Sequence, residues 1–476
     1  MREDGSARCL AGWHDGGSSA VPKDSSRLQH GAPVALVGTD RGQGRDLVAA
    51  SLCRTERPGC ALATDPASRV SPVRVGSMAD AAKNQMTSRE RVRATVAGLA
   101  VDRVPVMTWL NPHAGCRLMA EFRPASDDHG NATGRQMWEA FSRGHESLSE
   151  DERAAWPLLH HRYVNREYAL DLGSDLVSVG VAIDNLGERI VDADGSLRIR
   201  DAFGSVRRMA GAYLEVIEPA VKNINDLVEL RLPDASSERP YESIRRFRAK
   251  HPDACLYGES FGAQDLPSTS LWEMSQFMLA LYDYPDELKR FQARLNDYMI
   301  DLSRRTVAAG ADVILIYDDY GTSGAPLTSV KMWKEFTYPH LKKHIEAIHD
   351  AGAIAMLHSC GYQMPFLPYY VDAGLDILQA FQLGAGNDFA AAYAEFGDRL
   401  TFATGVDTQR GELMTPEELR ADIVRAYRIG GRSGHHILGY THMLQHTMPA
   451  ANIEVILQTV SDIQAGVYDG RGDQGT

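Results

Sequence analysis

Between Ala353 and Tyr362 the chain reads AIAMLHSCGY, an apolar run that ends in an imidazole and a thiol. Side chains of an extended backbone alternate, so His358 and Cys360 fall on one side and can converge on a soft cation such as zinc. Two donors do not complete a site. From His-x-Cys alone the opposite reading stands equally, with His358 a hydrogen-bonded histidine and Cys360 a small buried hydrophobe. Other groups able to bind ligands or move protons follow similar runs. Glu259 follows LYG, Asp318 and Asp319 follow ILIY, Gln379 and Gln382 flank another run, Asp407 follows TFATGV, and Tyr440 and His442 follow HHILG. An aspartate after a strand is more often a loop or helix cap than a catalyst, and that rival reading holds for Asp318, Asp319 and Asp407. Six strand ends behaving alike point to a shared site.

Each of these residues needs a strand to present it. Apolar, β-branched runs occur at 104–107, 176–181, 254–258, 313–317, 353–357, 376–381, 400–404 and 436–440, eight in all. Helical periodicity fills several of the intervals. Thr87 or Ser88 with Glu90 reads as a helix start, and that segment extends to Ala100. From Ser329 to Ala351, Tyr338, Leu341, Ile345 and Ile348 recur at steps of three and four, and Gly352 is placed to stop the helix. Thr415-Pro416-Glu417-Glu418 opens another that reaches Ile429, with proline at the first helical position and acids in the first turn. Strands and helices alternating in this number predict an α/β fold, the parallel (β/α)8 TIM barrel. Residues 187–207, with Asp194-Gly195 as a turn, are expected to form an inserted hairpin, and 138–171 a helical cap over one rim.

In such a barrel, chemistry gathers at the carboxyl ends of the strands, which is where the polar residues fall. By the same rule His435 and His436 start a strand, far from that end, and His442 is the histidine of this region expected in the site. Trp272, Phe277, Tyr282 and Tyr284 read as helix packing rather than a cofactor box. No Walker loop, dinucleotide fingerprint or Gly-x-Ser-x-Gly elbow stands at a strand-helix junction.

The 476 residues allow one large core or two domains, and 44% hydrophobic content is ordinary for a soluble protein. A net charge of -13, from 63 acidic and 50 basic residues, argues against a nucleic-acid surface and toward a cytoplasmic protein. Six cysteines (Cys9, Cys53, Cys60, Cys116, Cys255, Cys360) lack framework spacing, as expected in a reducing compartment. Residues 1–85 are rich in Gly, Ser, Arg and Asp and carry neither apolar periodicity nor a signal-peptide h-region, so they are expected to be a disordered leader to a domain at 86–470. That leader is either a genuine flexible tail or an over-long reading ahead of a start at Met78 or Met86.

Five stretches carry a family resemblance: RERVRATVAGLAVDRVPV, DDYGTSGAPLTSVKMWKEFTYPHLKKHIEAIHDAGA, HSCG, FGDRLTFATGVDTQ and GYTHMLQHTMPAANI, in that order over about residues 87–467. Together they resemble the uroporphyrinogen decarboxylase superfamily, which holds the decarboxylase of haem biosynthesis and zinc-dependent methyltransferases that work with corrinoid proteins. The decarboxylase branch carries an Arg-Gln-Ala-Gly-Arg motif after the first strand. Here Pro112-His113-Ala114-Gly115-Cys116 stands in that register, both arginines are missing, and Arg117 lies one position off. A pocket for many carboxylates loses its bidentate cations by that change, each contact contributing roughly 1.5–3 kcal/mol. His442 does resemble a histidine that this branch keeps in a Gly-His-Gly-Ile element.

The methyltransferase branch binds zinc through a His-x-Cys pair and a third ligand, usually cysteine, after the last strand. The resemblance therefore implies His358, Cys360 and His442 as the metal ligands, histidine replacing the usual cysteine. It implies methyl transfer between a small molecule and a corrinoid carried by a partner protein, with Asp318, Asp319, Glu259, Asp407 and Tyr440 as catalytic candidates and Gln379 and Gln382 lining the cofactor side. The alternatives are decarboxylation of uroporphyrinogen and a barrel that binds a corrinoid or tetrapyrrole without turnover.

Overall fold

The computed structural model describes residues 85–469, apart from 124–133, 137, 140–165, 182, 184–187, 193–196, 211–212 and 432–433. Eight parallel strands form one sheet: β1 (Val106–Met107), β2 (Leu176–Val181), β7 (Cys255–Phe261), β8 (Val313–Tyr317), β9 (Ile354–His358), β10 (Ile377–Gln379), β11 (Thr401–Val406) and β12 (His436–Tyr440). Their order is β1-β12-β11-β10-β9-β8-β7-β2. The Asp175 backbone N–H donates to the Val106 carbonyl at 2.7 Å, which brings β2 back to β1 and joins the two edges of the sheet. The expected TIM barrel is therefore present, and three of its strands have the expected bounds.

Alternation decides what fills it. Met107, Leu176, Cys255, Tyr257, Val313, Leu315, Met356, Ile377, Ala403 and Ile437 pack together as the interior, joined by Val92 of helix α1 (Ser88–Val96). The intervening residues of each strand, such as Ile314, Ile316, Leu357, Leu378 and Phe402, pack outward under the helices. Thr87 caps α1 through a reciprocal box with Glu90. Around the amino ends of the strands lie two buried carboxylates. Asp175 pairs with Arg91 and Arg103, each at 2.6 Å, and Asp312 with Arg89 at 2.8 Å and with Arg248. These pairs tie α1 beneath the barrel, and removing one partner from such a buried ion pair costs about 3–5 kcal/mol.

Two expectations about elements needed revision. The single helix over 329–351 is two, Val330–Phe336 and Tyr338–Asp350. Pro339 cannot donate to the preceding turn, so it begins a new helix, while the Thr337 hydroxyl donates to Gln264 Oε1 at 3.0 Å. The insertion after β2 is larger than one hairpin. It is an antiparallel sheet of β3 (Glu188–Val191), β4 (Leu197–Arg200), β5 (Val206–Ala210) and β6 (Tyr213–Glu218). Asp194-Gly195, most of the expected helical cap, and the leader up to residue 84 lie outside the described residues.

The helix Pro416–Gly430 starts as expected, with Thr415 and Glu418 forming a capping box. Thr415→Ala removes the acceptor for the Glu418 N–H and is expected to lower unfolding free energy by about 1 kcal/mol. Urea denaturation of the variant beside the wild type checks it. Among the described residues, no helix is long and apolar enough to cross a membrane.

Candidate functional site

The inward phase continues past the strand ends. Glu259 and Phe261 are in step with Cys255 and Tyr257, Tyr317 with Val313 and Leu315, His358 with Met356, and Gln379 with Ile377. Strand register sets several of them at one level, with Phe261 opposite Tyr317, Tyr317 opposite His358, and His358 opposite Gln379. Glu259 stands one level below, opposite Leu315. Two residues beyond Met107, Trp109 leans over this ring. Its ring meets His358 edge-on at 4.9 Å, Tyr317 at 6.2 Å and His442 at 5.3 Å between centroids. Glu259, Phe261, Tyr317, Asp319 and His442 are half-buried, so this carboxyl-end mouth keeps contact with solvent.

Among the described residues, Asp319, His358 and Cys360 bring one ligand atom each within 4.8 Å of the others. His358 Nε2 lies 3.3 Å from Cys360 Sγ and 3.8 Å from Asp319 Oδ1. Donors at ordinary zinc bond lengths around a tetrahedral centre stand about 3.5 Å apart, so the present spacing fits such an ion. An imidazole, a thiol and a carboxylate are also the donor types zinc takes. His442 stands at the rim, its ring 6.2 Å from the His358 ring, outside this set of three.

Neighbouring residues orient these donors. Gln379 Nε2 donates to the Tyr440 carbonyl at 3.2 Å, which turns the amide oxygen onto His358 Nδ1. An amide oxygen only accepts, so Nδ1 carries the proton and Nε2 keeps its lone pair on the Cys360 side. The Cys360 backbone N–H donates to Asp319 Oδ1 at 2.7 Å, linking two donors across β8 and β9. Gln382 receives the Gly361 N–H at 2.7 Å and donates to Cys360 Sγ at 3.5 Å. Gly321 and Gly361 let the two loops approach, since a Cβ on either would lie under 2.5 Å from backbone of the other loop.

Other candidates sit elsewhere. Asp318 is buried and accepts from the Asp265 and Gln264 backbone N–H groups, at 2.6 and 3.1 Å, and from the Tyr320 hydroxyl at 2.8 Å. Burial pushes its carboxyl up to about 7 against those hydrogen bonds. Asp407 receives the Gln409 and Arg410 backbone N–H groups and pairs with Arg410 Nε at 2.6 Å, the geometry of a loop cap. Tyr440 is in step with Leu438 and packs with it among residues under the outer helices, burial raising its hydroxyl pKa. His436 packs against Phe389 outside the barrel. Trp272 and Phe277 are core residues, whereas Tyr282 and Tyr284 are exposed. Reading strand ends for charge alone passed over Trp109, Phe261 and Tyr317; continuing the alternation past each strand would have found them.

A family model described as uroporphyrinogen decarboxylase (URO-D) matches residues 197–463. A uroporphyrinogen decarboxylase of Hydrogenovibrio crunogenus is 20% identical over 285 residues, covering 56% of this chain and 76% of that protein. One of Psychromonas ingrahamii is 23% identical over 184 residues, covering 38% of this chain and 49% of that protein. The chain thus spans about half the length of the latter relative. A solved methyltransferase from Methanosarcina mazei superposes with a TM-score of 0.55 at 18% identity, covering 79% of this chain and 99% of that one. At that identity the likeness is one of fold.

Proposed function

The chain belongs to the uroporphyrinogen decarboxylase (URO-D) family, and from that premise we propose that it is a zinc-dependent methyltransferase moving a methyl group between a small molecule and a corrinoid held by a partner protein. The observation that carries this reading is the convergence of Asp319, His358 and Cys360 at the barrel mouth. A zinc ion held there would supply Lewis acidity, favouring a thiolate or polarising the bond from an oxygen to its methyl group. The chain's own residues do the positioning. Gln379 fixes the His358 tautomer, Gln382 and the Asp319 carboxylate hold the Cys360 loop, and Trp109 with Tyr317 walls the imbedded His358 ring from two sides. Asp318 orders the loop that carries Asp319, while Glu259 faces the substrate side.

Decarboxylation is the second reading, and the arginine pair of that branch is missing from its register in this sequence. Arg117, the arginine nearest the missing pair, ends helix α2 (Pro112–Arg117) with Nη1 donating to the His446 and Met448 carbonyls, each at 2.7 Å. Its Nε pairs with Glu121 at 2.9 Å. An anionic tetrapyrrole would instead meet Glu259 and Asp319.

Metal content tests the proposal. Protein purified without a histidine tag, with zinc offered, is expected to hold about one zinc per chain. Cys360→Ala and Asp319→Ala should each lose it, and His442→Ala should keep it. Retention by Asp319→Ala with loss in His442→Ala would make His442 the third donor, as the sequence resemblance implies. A wild type that holds no metal would sink the methyltransferase reading.

A further inference from the structure

The wall beside the metal donors is built of aromatic rings and one carboxylate. Glu259 accepts from the Ser178 hydroxyl at 2.5 Å and lies within hydrogen-bonding reach of the Tyr317 hydroxyl. Two neutral hydroxyls therefore orient it, and among the described residues it enters no ion pair. Above it the Phe261 and Tyr317 rings stand 6.1 Å apart, inclined by 37°, and the Tyr317 and Trp109 rings 6.2 Å apart, inclined by 31°. Tyr317 thus neighbours both other rings. Beneath the rings Leu315 and Met356 are both fully buried and fill the barrel interior. Glu259, Phe261 and Tyr317 each keep part of their surface toward the mouth.

These features select among cations. A half-buried carboxylate favours a positive charge, and three aromatic rings close by favour it further. A compact ammonium would give up strong hydration there for a single carboxylate that already accepts from the Ser178 hydroxyl. An alkylated ammonium has no such donors to satisfy and is weakly hydrated, and its methyl groups pack on the rings. Resting on the methyl-transfer reading, we propose that the small-molecule substrate carries a quaternary ammonium head group, seated on Glu259 against Trp109, Tyr317 and Phe261. The subsite adjoins the metal donors because Tyr317 contacts both: its ring meets His358 at 5.2 Å and its hydroxyl reaches Glu259.

Calorimetric titration of the full-length, zinc-offered protein with choline and with its neutral isostere 3,3-dimethyl-1-butanol tests this, wild type beside Glu259→Gln, with zinc content measured on both. Wild type is expected to bind choline at least about tenfold more tightly than the isostere. Glu259→Gln should remove that preference while leaving the isostere's affinity and the zinc content unchanged. Equal binding of the two probes by wild type, or no binding of choline, overturns the proposal. The zinc measurement separates the two readings: protein that prefers choline yet holds no zinc keeps the subsite and fails the metal reading, whereas zinc without the preference does the reverse.

Discussion

Replacing Gly361 with alanine is expected to weaken zinc binding by at least about tenfold and to destabilise the fold by about 3 kcal/mol, the larger part from overpacking and the rest from backbone strain. Gly361 has φ of 79°, a conformation side chains rarely adopt. A Cβ there would lie 2.3 Å from the Gly321 carbonyl carbon and 2.7 Å from the Thr322 oxygen. Neither neighbour is a flexible side-chain tip that can swing aside. Relief must come from moving the loop after β8 away from the loop after β9, and these two loops carry Asp319 and Cys360. The Cys360 N–H to Asp319 bond at 2.7 Å would be the first contact stretched. Gly324→Ala is the control, because nothing lies within 4 Å of its added Cβ. Zinc titration and urea denaturation of both variants measure the effect, and a Gly361→Ala protein that binds zinc like the wild type would show that the close approach does not hold the donors together.

Refusal of a proton by one buried histidine is expected to cost the fold stability as pH falls from 7 to 5. His344 is buried between helices, 2.9 Å from the Ser303 hydroxyl, and burial pushes its pKa down to about 3. Below pH 6.5 the unfolded chain takes up a proton that the folded chain refuses. The stabilisation from keeping this ring neutral is therefore complete above pH 6.5 and is lost as pH falls toward 3, by about 1.4 kcal/mol per unit and about 2 kcal/mol by pH 5. His436, held down to about 4 by its burial, adds a second slope of the same sign. His344→Gln keeps a hydrogen-bonding partner for Ser303 but has no charge to acquire. Its unfolding free energy should fall by about 2 kcal/mol less than the wild type's between pH 7 and pH 5. Equal slopes in the two proteins would mean that His344 protonates without penalty in the fold.

The barrel was legible because its evidence is repeated. Eight apolar runs of strand length separated by helical periods admit few other architectures, and β2, β8 and β12 have the bounds the sequence implied. Helix punctuation was legible where the chemistry is local, as at Thr415, whose capping box spans three residues. It failed at Thr337, where a smooth apolar period ran through a proline that starts a new helix. Of the site, His358 and Cys360 were readable because two-residue spacing on a strand is itself geometry. Asp319 as their neighbour was not, because its approach depends on two glycines in different loops. The same limit hid the difference between Asp318 and Asp319. Adjacent in sequence, one is locked by Gln264, Asp265 and Tyr320 and the other faces Cys360.

Closure of the barrel joins the first strand to the last, since Val106 pairs with Leu438 roughly 330 residues later. On a ribosome making about 5–20 residues per second, β1 waits roughly 20–60 s for β12, its ladder partner, to exist. Through that interval Met107, and Val92 on the helix tied beneath, have no completed interior to enter. The run from β7 to β10, by contrast, can pair strand by strand as it emerges, and it already contains Asp319, His358 and Cys360. The donors can therefore come together on a nascent chain whose first strand has its contact with β2 but not its ladder partner β12, leaving that strand as the segment most in need of a chaperone.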